Sequence, residues 1–464
     1  MKDLCYCSAS AGGFGLVNYS LRLPQSHVML VGPQSCGRHT SLGAFMRGFD
    51  KRNSYLFLDE TDICLGTVDD LIADAVEETL ESVDVRPRVF IVMLTCLPFI
   101  AGLDERALIE KLSSDHPDVV FQVFLMNPVS AGTARAPGKV LYSRIGELWD
   151  TDSEQDGSLN IVGSVLPPAA DSDIYKIAEE CGITSVRHIG LSKNYDEFRD
   201  MGKSSWNLLL KSDCRVMGDQ LSPRMGYVFA PASYEPQIVE DSYRSLFELT
   251  GLSADLSGYR ERAESDIENG LREFKGVKIS VGSSASMRAF GLARMLLSGG
   301  AEVTDIFRPD PEVSPPPPYD SEACSWVRSN YPEIRYHDTS DVRLVRETGS
   351  VCKADLAIGY DAAYFTDSEH VLGLYDDAGM YGFGSAGSLI SMMKDSMDRE
   401  KDLLGMLYDA RLVIRRPASL TGFRRSPPIS LRPCRSFLRW AGCPSSTLRT
   451  GAWAITALST SLNG

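Results

Sequence analysis

The segment Val89-Phe90-Ile91-Val92-Met93-Leu94 is an unbroken apolar run, four of its six residues β-branched or aromatic, and it constrains the fold more than any other stretch. A strand with no polar position must be covered on both faces, the situation of an inner strand in a parallel sheet flanked by helices. Comparable runs at 27–31, 55–58 and 119–124 are separated by amphipathic stretches at 68–82 and 105–113. The spacing predicts repeated βα units. A second block opens at 159–163, followed by a helical pattern over 173–181, short strands from 183–184 onward, at 207–210 and 226–230, and a helix over 240–250 closed by Gly251. A third opens at 277–282, with helices expected over 286–297 and 387–397 and a buried strand over 355–359. The expected architecture is an α/β chain of three Rossmann-like domains with parallel sheets around a central cleft, divided at 1–155, 156–275 and 276–410.

Composition narrows the function classes. With 43% hydrophobic and 23% charged residues the chain reads as globular. Its net charge of −15 argues against nucleic acid as a main partner, because phosphate recognition needs a basic face. The longest apolar stretch, 89–103, is broken by Thr95 and Pro98, so no membrane span is expected. The start Met1-Lys2-Asp3-Leu4-Cys5 lacks a signal-peptide apolar core, and the expected location is the cytoplasm.

Eleven cysteines are scattered along the chain without a C-x-x-C pair, which disfavours a disulfide framework and a zinc ribbon. Three sit where chemistry is done. Cys36 follows the run 27–31 and a Gly32-Pro33 turn, Cys96 stands immediately beyond 89–94, and Cys7 lies in a loop of small residues from Ser8 to Gly13. In a parallel sheet the carboxyl ends of strands share one edge, where ligands bind. Thiols converging there suit an iron–sulfur cluster, and nearby helix N-termini would favour the thiolates. The competing reading is three unrelated buried thiols.

The pattern resembles component 1 of nitrogenase and its relatives, among them dark-operative protochlorophyllide reductase and the nickel-sirohydrochlorin reductive cyclase. The resemblance spans most of residues 5–400. It rests on the Cys7 loop, on Gly32-Pro33 with Cys36-Gly37, and on Leu58-Asp59-Glu60-Thr61-Asp62 leading to Leu65-Gly66. It continues through Leu94-Thr95-Cys96 with Ile100-Ala101-Gly102-Leu103-Asp104, Asn160-Ile161-Val162-Gly163, and Tyr381-Gly382-Phe383-Gly384-Ser385-Ala386-Gly387. It implies that 1–155 is the cluster-binding domain. Cys7, Cys36 and Cys96 would be one subunit's ligands to a [4Fe–4S] or P-cluster-like iron–sulfur cluster shared across a subunit interface. Cys5 is the alternative to Cys7, and the fourth ligand would come from elsewhere.

The same resemblance implies a homologous component 1 subunit as partner, in a homo- or heterodimer or a tetramer, and an ATP-dependent iron–sulfur reductase that delivers low-potential electrons. Two departures bear on the substrate. Where the family's molybdenum–iron cofactor takes a cysteine, this chain has Leu210-Lys211-Ser212-Asp213, with Cys214 three positions out of register. Where it takes a histidine, this chain has Tyr381. No molybdenum–iron cofactor is expected, and the substrate would be something other than dinitrogen, such as a tetrapyrrole or a sulfur compound. The alternative is a non-catalytic scaffold that assembles a cofactor on the same fold.

Other features read as structure. Gly382-x-Gly384-x-x-Gly387 has the dinucleotide spacing but no strand before it, and a glycine-rich helix start lining the cleft is expected instead. Gly282-Ser283-Ser284-Ala285-Ser286 is expected to cap a helix through Ser. Glu60 and Asp62 read as helix caps, Cys64 and the Met392, Met393, Met397 stripe as core, and His39 as a surface or hydrogen-bonded side chain. Residues 309–318 read as a stiff proline-rich loop. From 411 onward the chain carries nine Arg and no Lys, Asp or Glu, and the atypical tail 411–464 is expected to be the product of a reading-frame change.

Overall fold

The computed structural model describes residues 13–34, 36, 49–126, 133, 135–339, 341, 344, 352–366 and 368–399. Cys5, Cys7, His39 and the tail 411–464 lie outside the described residues.

Three sheets follow one another along the chain. The first holds β1 (Ser26–Gly32), β2 (Asn53–Phe57), β3 (Val89–Leu94) and β4 (Val120–Leu125) in the order β2-β1-β3-β4. The second holds β5 (Leu159–Val162), β6 (Val186–Arg187), β7 (Trp206–Leu209) and β8 (Gly226–Phe229), ordered β6-β5-β7-β8. The third holds β9 (Lys278–Gly282), β10 (Glu302–Phe307), β11 (Arg335–Tyr336), β12 (Leu356–Ile358) and β13 (His370–Leu372), ordered β11-β10-β9-β12-β13. Every pairing between these strands is parallel, so the α/β class and the parallel sheets read from the sequence are what the chain forms.

The first sheet shows why its strands carry no polar face. Every residue of β1 and β3 is buried. Successive side chains of a strand point to opposite faces. Accordingly Phe90, Val92 and Leu94 pack with Ile72, Val76, Leu108 and Leu112 of the helices Val68–Ser82 and Glu105–Asp115. Val89, Ile91 and Met93 pack on the other side with Val17, Leu21, Leu141 and Ile145, from the helices Gly13–Arg22 and Pro137–Gly146. That second core also contains Val162, Leu209 and Cys214, so the first and second sheets share buried surface. Tyr381 and Phe383, from the segment after the third sheet, are buried in the core around the second. Among the described residues, no helix is long and apolar enough to cross a membrane.

Some local expectations need correction. Cys64 is exposed, because the short helix Glu60–Leu65 that carries it buries none of its residues. The helix expected over 286–297 begins at Ala289, and Ser286 does not cap it; its hydroxyl accepts from Arg288 N in the preceding turn. Asp62 does cap, in a reciprocal pair with Asp59 at the start of Glu60–Leu65. Met393 is fully buried, with Met392 and Met397 packed against the same core.

Candidate functional site

The carboxyl edge of the first sheet places two of the three candidate cysteines. The hydrogen-bond ladder runs one residue past the strands, with Thr95 N donating to Val31 O at 3.0 Å and Leu58 N to Gly32 O at 3.0 Å. Beyond β1, Cys36 N donates to Pro33 O at 3.0 Å, which turns the chain at the sheet edge. Beyond β3, Cys96 is the first residue of the helix Cys96–Ile100. The two strand ends are pressed together at one point: a Cβ on Gly32 would lie 2.0 Å from the Thr95 Oγ1 atom. Only glycine lets β1 finish beside the residue that precedes Cys96. Cys36 and Cys96 are both half-buried. The segments after β2 and β3 leave the apolar side chains of Leu65, Phe99 and Ile100 exposed, at 68%, 41% and 74%. Among the described residues, no three His, Cys, Asp or Glu side chains are gathered as a metal site, and Cys7 lies outside that set.

A second constellation lies between the second and third sheets. Ser164 and Lys211, which follow β5 and β7, face Met287, Asp376, Asp377 and Tyr381 across a narrow cleft. Leu210 and Lys211, from the stretch 210–213, and Tyr381 thus line one cavity. Lys211 Nζ donates to Asp376 Oδ2 at 2.5 Å, joining segments 165 positions apart. Burial opposes the lysine's charge, but the Asp376 carboxylate outweighs it and raises the ammonium pKa. Cys214 is not among the residues that line the cleft, although its Sγ lies close behind Gly163. It is fully buried in the core shared with the first sheet, and burial pushes its thiol far up, so it stays protonated.

Asp377 stands beside that ion pair. Its carboxyl accepts from Tyr234 OH at 3.0 Å and from Met287 N at 3.2 Å, and it is hydrogen-bonded to Ser286. Burial first, and the neighbouring Asp376 charge second, push it up to about 7. Asp376 and Asp377 both hold left-handed backbone, at φ 51° and 56°, which is uncommon outside glycine and concentrates at functional sites.

The glycine-rich segment 382–387 is filled from within the protein. Asp173 Oδ2 accepts from Gly384 N at 2.8 Å, and its Oδ1 accepts from Tyr243 OH at 2.5 Å. A Cβ on Gly382 would lie 2.2 Å from Asp173 Oδ1. The carboxylate occupies the space a phosphate would take at the start of the helix Gly384–Met397. Ser172 Oγ donates to Tyr381 O at 2.7 Å, and Ala169 N to Gly379 O at 3.1 Å, so 169–173 pins the loop that presents Tyr381 to the cleft. Asp173, Asp376 and Asp377 were not singled out by sequence; the one local signal was the acidic pair just ahead of the Tyr381 landmark. His188 bonds Ser164 Oγ at 3.1 Å, and His337 bonds the buried Asp305 at 2.6 Å.

A model of nitrogenase component 1 type oxidoreductases matches residues 14–364. The chain belongs to that family. Among solved structures, one titled "Nitrogenase Cp1 at pH 6.5" is similar over 83% of this chain and 91% of its own, with a TM-score of 0.62 and 15% identity. Another, "Nitrogenase Cp1 at pH 5", covers 90% of this chain and 91% of its own, with a TM-score of 0.55 and 15% identity. At that identity the likeness is one of fold. No curated protein matches the chain. The component 1 type family generally binds iron–sulfur clusters and typically works in multimers with a reductase component.

Proposed function

We propose that this chain is a cytoplasmic component 1 subunit that takes low-potential electrons from an ATP-dependent iron–sulfur reductase and passes them to a substrate other than dinitrogen. The observation that carries it is the meeting of the β1 and β3 ends, which sets Cys36 and Cys96 at one edge of one sheet. The donor chemistry fits the group: two half-buried thiols at strand ends, with Cys7 as the third ligand and Cys5 as its alternative. An iron–sulfur cluster bound there would supply a one-electron relay. The chain's own part is to hold the thiols in place: Gly32 admits Thr95, and the ladder bonds of Thr95 and Leu58 fix the strand ends.

Leu65, Phe99 and Ile100 offer the apolar ground for a homologous subunit, which would supply the fourth ligand. The divisions 1–155, 156–275 and 276–410 are the domains we assign to this assembly. The cleft would not hold a molybdenum–iron cofactor by thiolate and imidazole, since by the resemblance 210–213 and Tyr381 replace those ligands, and Cys214, buried, is not among the residues lining the cleft. Anaerobic purification followed by electron paramagnetic resonance of the dithionite-reduced protein tests the reading. A brown protein with a cluster signal supports it, and a colourless, silent protein after reconstitution with iron and sulfide removes it.

A further inference from the structure

One polar atom at the edge that carries Cys36 and Cys96 is left without a partner by the fold. Thr95, the residue between β3 and Cys96, is 3% exposed, and its Oγ1 is buried with no hydrogen bond among the described residues. A buried hydroxyl with its bond unmade costs stability, and such groups are normally paired. Thr79, equally buried, donates to Ala75 O at 2.7 Å. Thr95 also forgoes the bond its position offers. It is the N-cap of the helix Cys96–Ile100, in extended backbone and of a residue type suited to that role, yet its side chain makes no cap bond. Asp59 and Asp104, at the same position of the helices Glu60–Leu65 and Glu105–Asp115, both cap. The Thr95 hydroxyl is turned instead toward Gly32, where an added Cβ would lie 2.0 Å from Oγ1. Thr95 N donates to Val31 O at 3.0 Å, and Cys36 N to Pro33 O at 3.0 Å. The hydroxyl therefore stands between the end of β1, from which the chain turns to Cys36, and the residue that begins the Cys96 helix.

We propose that Thr95 is a positioning residue for the iron–sulfur group of Cys36 and Cys96, its hydroxyl donating a hydrogen bond to one of that group's sulfurs. The proposal rests on the electron-transfer reading above and adds to it a residue that is not a ligand. Thiolate and sulfide sulfurs are anionic, and a hydrogen bond to an ionised acceptor is stronger than one to a neutral acceptor. β-Branching limits the rotamers of threonine, so the hydroxyl keeps its direction at little entropic cost. Accepting one electron adds negative charge at the sulfurs. A donor there stabilises the reduced form more than the oxidised form and raises the reduction potential.

Thr95→Val keeps the shape of the side chain and removes the hydroxyl, whereas Thr95→Ser keeps the hydroxyl. Each full-length protein is measured without iron, by chemical denaturation, and after anaerobic reconstitution with iron and sulfide, by redox titration followed with electron paramagnetic resonance. Without iron, Thr95→Val should unfold at no lower denaturant concentration than the wild type, because no bond is lost. With iron, it should hold as much metal but a lower potential. The expected change is a tenfold fall in the reduced-to-oxidised ratio at a fixed potential, about 59 mV for one electron. Thr95→Ser should keep the wild-type potential. If iron-free Thr95→Val unfolds more easily or fails to fold, the hydroxyl serves the fold and the proposal is overturned. An unchanged potential in iron-loaded Thr95→Val overturns it too, as does a Thr95→Ser potential equal to that of Thr95→Val. Wild-type protein that takes up no iron removes the electron-transfer reading and this role with it, whereas loaded protein with an unmoved potential removes the Thr95 role alone.

Discussion

At the scale of single residues, two positions carry stability consequences that follow from their surroundings. Asp377 titrates at about 7 in the folded chain and near 3.8 when unfolded. The folded state therefore binds the proton more tightly, so this group's effect on stability is neutral below about pH 4, grows adverse between 4 and 7, and is complete above 7. The integrated effect is about 4 kcal/mol. Asp377→Asn should abolish that slope, and chemical denaturation at a series of pH values from 4 to 8 would show it. Gly32 is the second position. A methyl group there meets Thr95 Oγ1 at 2.0 Å, with the Thr95 Cγ2 and Cβ atoms also within 2.8 Å. Gly32→Ala should destabilise by about 1–3 kcal/mol, because the strand ends must separate to admit it. It should also weaken iron retention, since Cys36 and Cys96 ride on those ends. Iron content measured beside the denaturation midpoint would separate the two effects.

At the scale of elements, the strands and helices that the sequence made legible are those whose apolar period is uninterrupted. The run at 89–94 and the patterns at 68–82 and 173–181 form elements with those bounds. Strand β10 escaped notice because Glu302-Val303-Thr304-Asp305-Ile306-Phe307 carries a buried aspartate. Only the fold reveals its partners, Arg335 and His337, which with burial opposing them hold the Asp305 carboxyl down to about 2. Cys36 and Cys96 were legible as strand-end residues; the cleft was not, because its ion pair and its Asp173 staple join positions far apart in sequence. Asp173 is the element-scale test. Asp173→Ala leaves Gly384 N and Tyr243 OH without their acceptor, and each buried group so stranded costs about 1–3 kcal/mol. Reduced stability is expected together with faster amide exchange at the start of the helix Gly384–Met397. Unchanged exchange there would show that the loop presenting Tyr381 is held by other means.

At the scale of the whole molecule, three parallel sheets are joined through shared cores and a few polar links, of which Lys211–Asp376 spans the cleft. Its two side chains are 28% and 24% exposed, so the pair is neither a surface ornament nor fully desolvated. Lys211→Met should strand the Asp376 carboxylate and lower stability by about 1–3 kcal/mol, less than for a fully buried pair because water still reaches it. It should also loosen the cleft, and limited proteolysis of the segment around Asp376 would report that. The edge that carries Cys36 and Cys96 and the cleft lie on different sheets, and an electron path from one to the other is what would make the three-sheet arrangement a reductase subunit. Iron content is the most direct test of its starting point. Anaerobically reconstituted wild-type protein should retain iron, and Cys7→Ser, Cys36→Ser and Cys96→Ser should each lose most of it while circular dichroism stays unchanged. Full iron retention in Cys36→Ser and Cys96→Ser, or no iron in the wild type, would contradict the account.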